Sequence, residues 1–145
     1  MSLLSPADEQ QLRESFAAMT QPVTLVFFSQ AIGCETCAET QQILREVTGL
    51  TEHVTVDEVS LVLDRERAAS FGVDRVPAIV LLAGPDRQDT RIRFLGAPDG
   101  WDFLSLVDAI LLAGGADSHA LSGETLAKLG QLTDDIAVQV FVTPT

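Results

Sequence analysis

The chain is poor in positive charge: one lysine, Lys128, and eight arginines stand against 21 acidic residues, for a formal net charge of −12 and an isoelectric point of about 4.3. That deficit argues against nucleic acid or an anionic membrane surface as a partner, since either would repel the protein. A preference for arginine over lysine also departs from the Lys/Glu enrichment typical of hyperthermophile proteins. No uninterrupted apolar run reaches the roughly 18 residues needed to span a bilayer, so no membrane association is expected. The opening Met1-Ser2-Leu3-Leu4-Ser5-Pro6-Ala7-Asp8-Glu9 lacks a basic n-region and turns acidic at once, which reads as a cytoplasmic chain without a secretory signal. There is no low-complexity segment. Only two cysteines occur, Cys34 and Cys37, in 145 residues that are 46% hydrophobic. Such a chain buries an ordinary core as one domain without a disulfide, and a bridge between these two closes too short a loop to stabilise it much. A lone, closely spaced pair is instead the pattern of catalytic, redox-sensing or metal-binding cysteines.

In chain order, Ser5-Pro6 supplies an N-cap and a first-turn proline, and Leu12, Phe16 and Met19 follow at helical spacing, predicting a helix over residues 6–19. Residues 23–28 form a β-branched and aromatic run that is apolar at nearly every position, as in a central strand buried on both faces. After the cysteines, Ile43, Leu44 and Val47 mark a second helix beginning at the motif, with Gly49 as its C-cap. Residues 53–62 read as a strand and 64–72 as a short helix, completing a βαβ unit. Residues 78–82 and 90–95 are two strands joined through Gly84-Pro85-Asp86, and 101–112 is a helix ended by Gly114-Gly115. Ser122 caps a further helix through residue 129, and residues 137–142 carry one more strand pattern. The class is α/β, with helices on both faces of the sheet.

At the end of the first strand, Cys34 and Cys37 are spaced so that both sulfurs can sit on the first turn of a helix, able to close a disulfide or reopen to a dithiol. Backbone N–H groups and the dipole there favour a thiolate and can lower a cysteine pKa to about 3.5–7.5, although Glu35 beside Cys34 opposes the shift. Cys34 is the better-placed attacker, and Cys37 resolves the mixed disulfide that results. The other readings are half of a shared zinc site or an inert pair. One CxxC supplies two of four zinc ligands, and His53 and His119, read as solvated or locally hydrogen-bonded, stand at no ligand spacing, so no metal is expected. The second feature is Val76-Pro77. A cis bond opposite the cysteines would leave the Val76 backbone free to pair with an extended substrate, whereas a trans proline would simply open an edge strand.

A CxxC that opens a helix after a buried strand, followed by Val76-Pro77 with the proline 43 residues beyond Cys34, resembles the thioredoxin superfamily over about residues 22–115. Within it, Ile92-Arg93-Phe94-Leu95-Gly96-Ala97-Pro98-Asp99-Gly100-Trp101-Asp102-Phe103, the helix before and the helix plus strand after look like the N-terminal unit of the tandem protein disulfide oxidoreductases, or glutaredoxin-like proteins. The resemblance implies a thioredoxin-like fold: an extra N-terminal helix, then βαβαββα in three layers with a mixed sheet, plus a C-terminal helix and an orphan strand. It divides the chain into a thioredoxin-like domain at 1–134 and, at 135–145, the first strand of a second, truncated unit. It implies a protein disulfide oxidoreductase with Cys34 and Cys37 catalytic and Val76 and Pro77 at the substrate. That chemistry needs no cofactor beyond the Cys34–Cys37 disulfide. Disulfide-containing proteins are the implied substrates and a thioredoxin-reductase-like flavoprotein the implied electron donor. The alternative is a non-catalytic docking module of a larger redox protein. Phe28 stands where many thioredoxins place a buried acidic residue, so the proton of Cys37 has to leave through water or another group. An orphan apolar strand must pair somewhere, either on an edge of its own sheet or in a homodimer.

Overall fold

The computed structural model describes residues 2–116 and 120–143, so His119, Pro144 and Thr145 lie outside the described residues. In chain order the elements are α1 (Pro6–Phe16), β1 (Val23–Ser29), α2 (Cys37–Leu50), β2 (Val54–Ser60), α3 (Arg65–Ser70), β3 (Ala78–Ala83), β4 (Gln88–Leu95), α4 (Trp101–Ala113) and α5 (Gly123–Leu129). The strands form one mixed sheet in the order β2-β1-β3-β4, with β1 parallel to β2 and antiparallel to β3, and β3 antiparallel to β4. Every residue of β1 from Val23 to Phe28 is buried, as its continuous apolar run requires of a strand covered on both faces. Alternation sends Val23, Leu25 and Phe27 into the larger core with Ile43, Leu44, Leu106 and Ile110 of α2 and α4. Val26 and Phe28 point the other way, toward Ala68 of α3 and Val73. The three-layer α/β arrangement with a mixed sheet is therefore the thioredoxin-like one.

Local chemistry sets the helix ends. Ser5 Oγ accepts from the Asp8 N–H at 3.2 Å while the Asp8 carboxylate takes the Ser5 N–H, closing a capping box ahead of Pro6. The helix stops at Phe16 rather than at residue 19, because a tighter turn through Ala17 and Ala18 brings both Phe16 and Met19 into the core. Asp64 caps α3 by accepting from the Arg67 N–H, which ends β2 earlier than its apolar pattern suggests. The expected C-cap at Gly49 is not used: α2 runs on to Leu50, whose burial repays another helical residue, and Thr51 turns the chain extended.

Strand β4 carries an irregularity that its sequence does not announce. Pairing shifts between Val80 and Leu82 of β3, with Arg91 at φ 66° inside the bulge. Thr90 Oγ1 donates to the Leu81 carbonyl at 2.8 Å and accepts from the Ile92 N–H, and the Asp89 carboxylate accepts from the Arg91 N–H, so the displaced backbone keeps its partners. Arg93 then grips Asp89 with two N–H groups at 2.8 and 2.7 Å, donates to the Phe71 carbonyl and lies over the Phe71 ring. The Arg93 guanidinium holds the Asp89 carboxyl below its ordinary value of 3.8. A depressed carboxyl contributes stability above its unfolded value and loses it as pH falls through the folded one. Asp89→Asn is thus expected to cost about 0.5–1 kcal/mol at pH 7, discounted for solvent screening. The gap from the parent should close below pH 3.8, as read by urea denaturation across pH.

The C-terminal strand pattern does not become a strand in the single chain. Residues 137–142 form no ladder, and Val138 and Phe141 are 80% and 89% exposed. Addition to the chain's own sheet, expected as one way to pair this segment, is not what is found. Both sheet edges, β2 and β4, remain open among the described residues, and just ahead of the segment Asp135 makes an exposed ion pair with Arg91 at 3.2 Å. Helix α5 forms where Ser122 predicts it, with the Ser122 hydroxyl accepting from the Thr125 N–H, and it too buries nothing.

Candidate functional site

Cys34 sits on the loop that leaves the C-terminal end of β1, and Cys37 on the helix that follows it. Gln30 Nε2 donates to the Ile32 carbonyl at 2.8 Å, and Gly33 takes φ +77°, a turn that a side chain would resist. Cys34 follows, half-buried, and Cys37 is 8% exposed within the main core. The two form a disulfide with Cα atoms 5.5 Å apart. The sulfurs do not share the first turn of α2 as their spacing suggests. Cys37 opens the helix behind Thr36, whose carbonyl takes both the N–H and the hydroxyl of Thr40, while Cys34 lies in the preceding turn. Helix-dipole support reaches Cys34 from just outside the helix, and its force falls off over the first turn.

Antiparallel register sets Phe28 of β1 against Ala78 of β3. The start of β3, Val76-Pro77, therefore stands at the end of the sheet from which the cysteine loop departs. The Val76–Pro77 peptide bond is cis. Pro77 is buried and its carbonyl accepts from the Gly96 N–H at 2.9 Å, which joins the end of β4 to the same place. Val76 is half-buried against both core clusters. Among the described residues its own N–H and carbonyl make no hydrogen bond. All four sequence-expected residues thus gather at one end of the sheet.

Other contributors were not legible from spacing. Glu58 of β2 accepts from Ser29 Oγ at 2.9 Å and from Gln41 Nε2 at 2.8 Å, so one carboxylate ties the last residue of β1 to the helical turn after Cys37. Only parallel pairing of β1 with β2 brings these three together. Ile32, Leu63 and Trp101 are large apolar residues left exposed on loops or helix starts at this same end. Phe28, by contrast, is fully buried opposite Val59, and both lie in an all-apolar cluster. Among the described residues no group of three or more His, Cys, Asp or Glu is placed to hold a metal, and no helix is long and apolar enough to cross a membrane.

No protein-family model and no curated protein matches this sequence. Solved structures do. The alkylhydroperoxide reductase AhpF of Enterococcus faecalis V583 is 29% identical, with a TM-score of 0.75 over 83% of this chain and 57% of that one. A protein disulfide oxidoreductase from Aeropyrum pernix K1 is 26% identical, with a TM-score of 0.70 over 88% of this chain and 55% of that one. This chain therefore spans less than two thirds of either. A thioredoxin from Halobacterium salinarum, 20% identical with a TM-score of 0.52, shares the fold. Strand order and the Cys34–Cys37 pair give this chain the thioredoxin-like fold of these structural neighbours, which are thioredoxin-superfamily proteins.

Proposed function

We propose that the chain is a thiol–disulfide oxidoreductase acting on protein disulfides, in the manner of a glutaredoxin-like protein disulfide oxidoreductase. The observation that carries this is the Cys34–Cys37 disulfide with its unequal burial: the first cysteine reaches solvent and the second is held in the core. In the dithiol form, the Cys34 thiolate attacks one sulfur of a substrate disulfide, forming a mixed disulfide and expelling the other sulfur as a thiolate. Cys37, deprotonated, then attacks Cys34 Sγ; the second substrate thiolate leaves and the Cys34–Cys37 bond closes. Two electrons have passed to the substrate, and a dithiol or a thioredoxin-reductase-like flavoprotein returns them. No group beyond the two cysteines is needed. The unpaired N–H and carbonyl of Val76 suit an extended substrate backbone laid beside Pro77. With Phe28 in the core, the Cys37 proton leaves through water or another group. The chemistry fits a reducing cytoplasm, where such a pair cycles. The test is insulin reduction by dithiothreitol, which the protein is expected to accelerate over the reductant alone; an unchanged rate would overturn the proposal.

The segment from residue 135 onward is the second element of this reading. Its alternating Ile136, Val138, Val140 and Val142, exposed and without a ladder, suit the first strand of a further thioredoxin-like unit. In this chain alone it is offered to the open sheet edge of a second copy. Light scattering should give a dimer, with slow amide exchange from Val138 to Val142; a monomer exchanging fast there would sink the idea.

A further inference from the structure

Two cavities differ in charge. One, of about 250 Å³ between α2 and the start of α4, has an apolar floor that includes Ile43 and Phe103 but three carboxylates, Glu39, Glu46 and Asp99, at its rim. Glu46 already accepts from the Leu3 N–H at 2.7 and 2.9 Å, so the N-terminal segment closes that side. The other, of about 330 Å³, lies on the α3 side against Leu61, Val62 and Val73. It is rimmed by Gln30, where the cysteine loop begins, and by Arg65 and Asp74. Asp74 is bound by Arg75 at 2.8 Å. Arg65 has no hydrogen-bond or ion-pair partner among the described residues, in a protein whose net charge is −12. Unneutralised positive charge therefore stands at the mouth of an apolar hollow between the loop that carries Cys34 and the segment that leads, two residues beyond Asp74, to Val76.

Resting on the oxidoreductase reading above, we propose that this hollow is a specificity subsite for the substrate peptide, taking an apolar side chain and pairing Arg65 with a carboxylate beside the substrate cysteine. An extended peptide laid along the free Val76 backbone has alternate side chains on one face. Two of these, one on each side of the substrate cysteine, share the face toward the hollow: an apolar one reaches the floor formed by Leu61, Val62 and Val73, and an acidic one meets the guanidinium. The acidic cavity between α2 and the start of α4 repels the same group, so charge favours the α3 side for it. Arg65 takes no part in the sulfur chemistry; it acts on which disulfide is attacked.

The test uses three peptide disulfides that differ only beside the cysteine: leucine with glutamate, leucine with glutamine, and alanine with glutamate, with dithiothreitol regenerating the dithiol. The first should be reduced with a kcat/KM about threefold above each of the others, as one screened charge contact or a few methylenes would give. Arg65→Glu should lower kcat/KM for the leucine–glutamate peptide about tenfold while changing the leucine–glutamine peptide less than twofold, and Arg65→Lys should retain the preference. Glutamate at the first position of α3 suits the helix N-terminus, so the variant keeps its fold. High salt should flatten the glutamate preference. Equal wild-type rates on all three peptides, or a loss in Arg65→Glu shared by the glutamine peptide, would overturn the subsite while leaving the redox reading intact. If the wild-type protein reduces none of them, that reading falls and the subsite with it.

Discussion

Cys34→Ser is expected to return insulin reduction to the rate of dithiothreitol alone, and Cys37→Ser to stall it at a covalent complex. The two outcomes differ because the cysteines differ in place. Cys34 is half-buried in the turn ahead of α2 and is the sulfur a protein disulfide can reach. A serine there offers no nucleophile at neutral pH, and Cys37, 8% exposed behind it, cannot take over the attack. In Cys37→Ser the first attack proceeds and the mixed disulfide has no internal thiol to displace the substrate. It should accumulate as a higher-mass species on a non-reducing gel, with turnover at least about tenfold down because only external dithiol releases it. Serine is close to cysteine in size, in the turn ahead of α2 at position 34 and at the first helical position at 37, so both variants should melt close to the reduced parent. Full activity in either variant, or no trapped complex in Cys37→Ser, would remove the division of roles between the two sulfurs.

Features carried by local chemistry were legible in the sequence. A strand buried on both faces needs an unbroken apolar run, and residues 23–28 supply one; β1 forms there and is central in the sheet. Ser5 and Ser122 each put a side-chain oxygen where a helix start has free N–H groups, and each caps a helix. The cysteine spacing and Val76-Pro77 carry their chemistry in two or four residues, so they too could be read before any fold was known. Features that depend on a partner distant in sequence could not. Gly49 has the identity of a C-cap, but burial of Leu50 in the core outweighs it. The bulge around Arg91 follows from how β4 meets Leu81 of β3, and nothing in residues 88–95 alone requires it. The Glu58 bridge between Ser29 and Gln41 spans three elements. Residues 137–142 have the composition of a strand, yet a strand also needs a neighbour, and the single chain offers none at that position.

Phe28→Asp, which restores the acidic residue that many thioredoxins carry at this position, is expected to destabilise the domain rather than improve its chemistry. Phe28 is fully buried among Val26, Val59, Ala68 and Ala78, with its ring edge-on to Phe71 at 6.2 Å between centroids. Losing the ring alone, as in Phe28→Ala, should cost about 3–5 kcal/mol through lost burial and the cavity left behind. Against the roughly 5–15 kcal/mol that hold a domain of this kind together, that is a large share. Aspartate adds a carboxylate facing Val59 across the β1–β2 pair and Ala78 across the β1–β3 pair, with no donor in the cluster to receive it. Burial raises such a carboxyl, so the folded protein takes up its proton at higher pH than the unfolded chain does. The extra destabilisation relative to Phe28→Ala is therefore greatest at neutral pH and diminishes as pH falls toward the ordinary aspartate range. Urea denaturation of the three proteins at pH 7 and pH 5 reads both effects. A Phe28→Asp protein within about 1 kcal/mol of the parent at pH 7 would mean that this face of β1 tolerates a buried charge. It would then also have room for a proton acceptor serving Cys37, and the route through water would lose its argument.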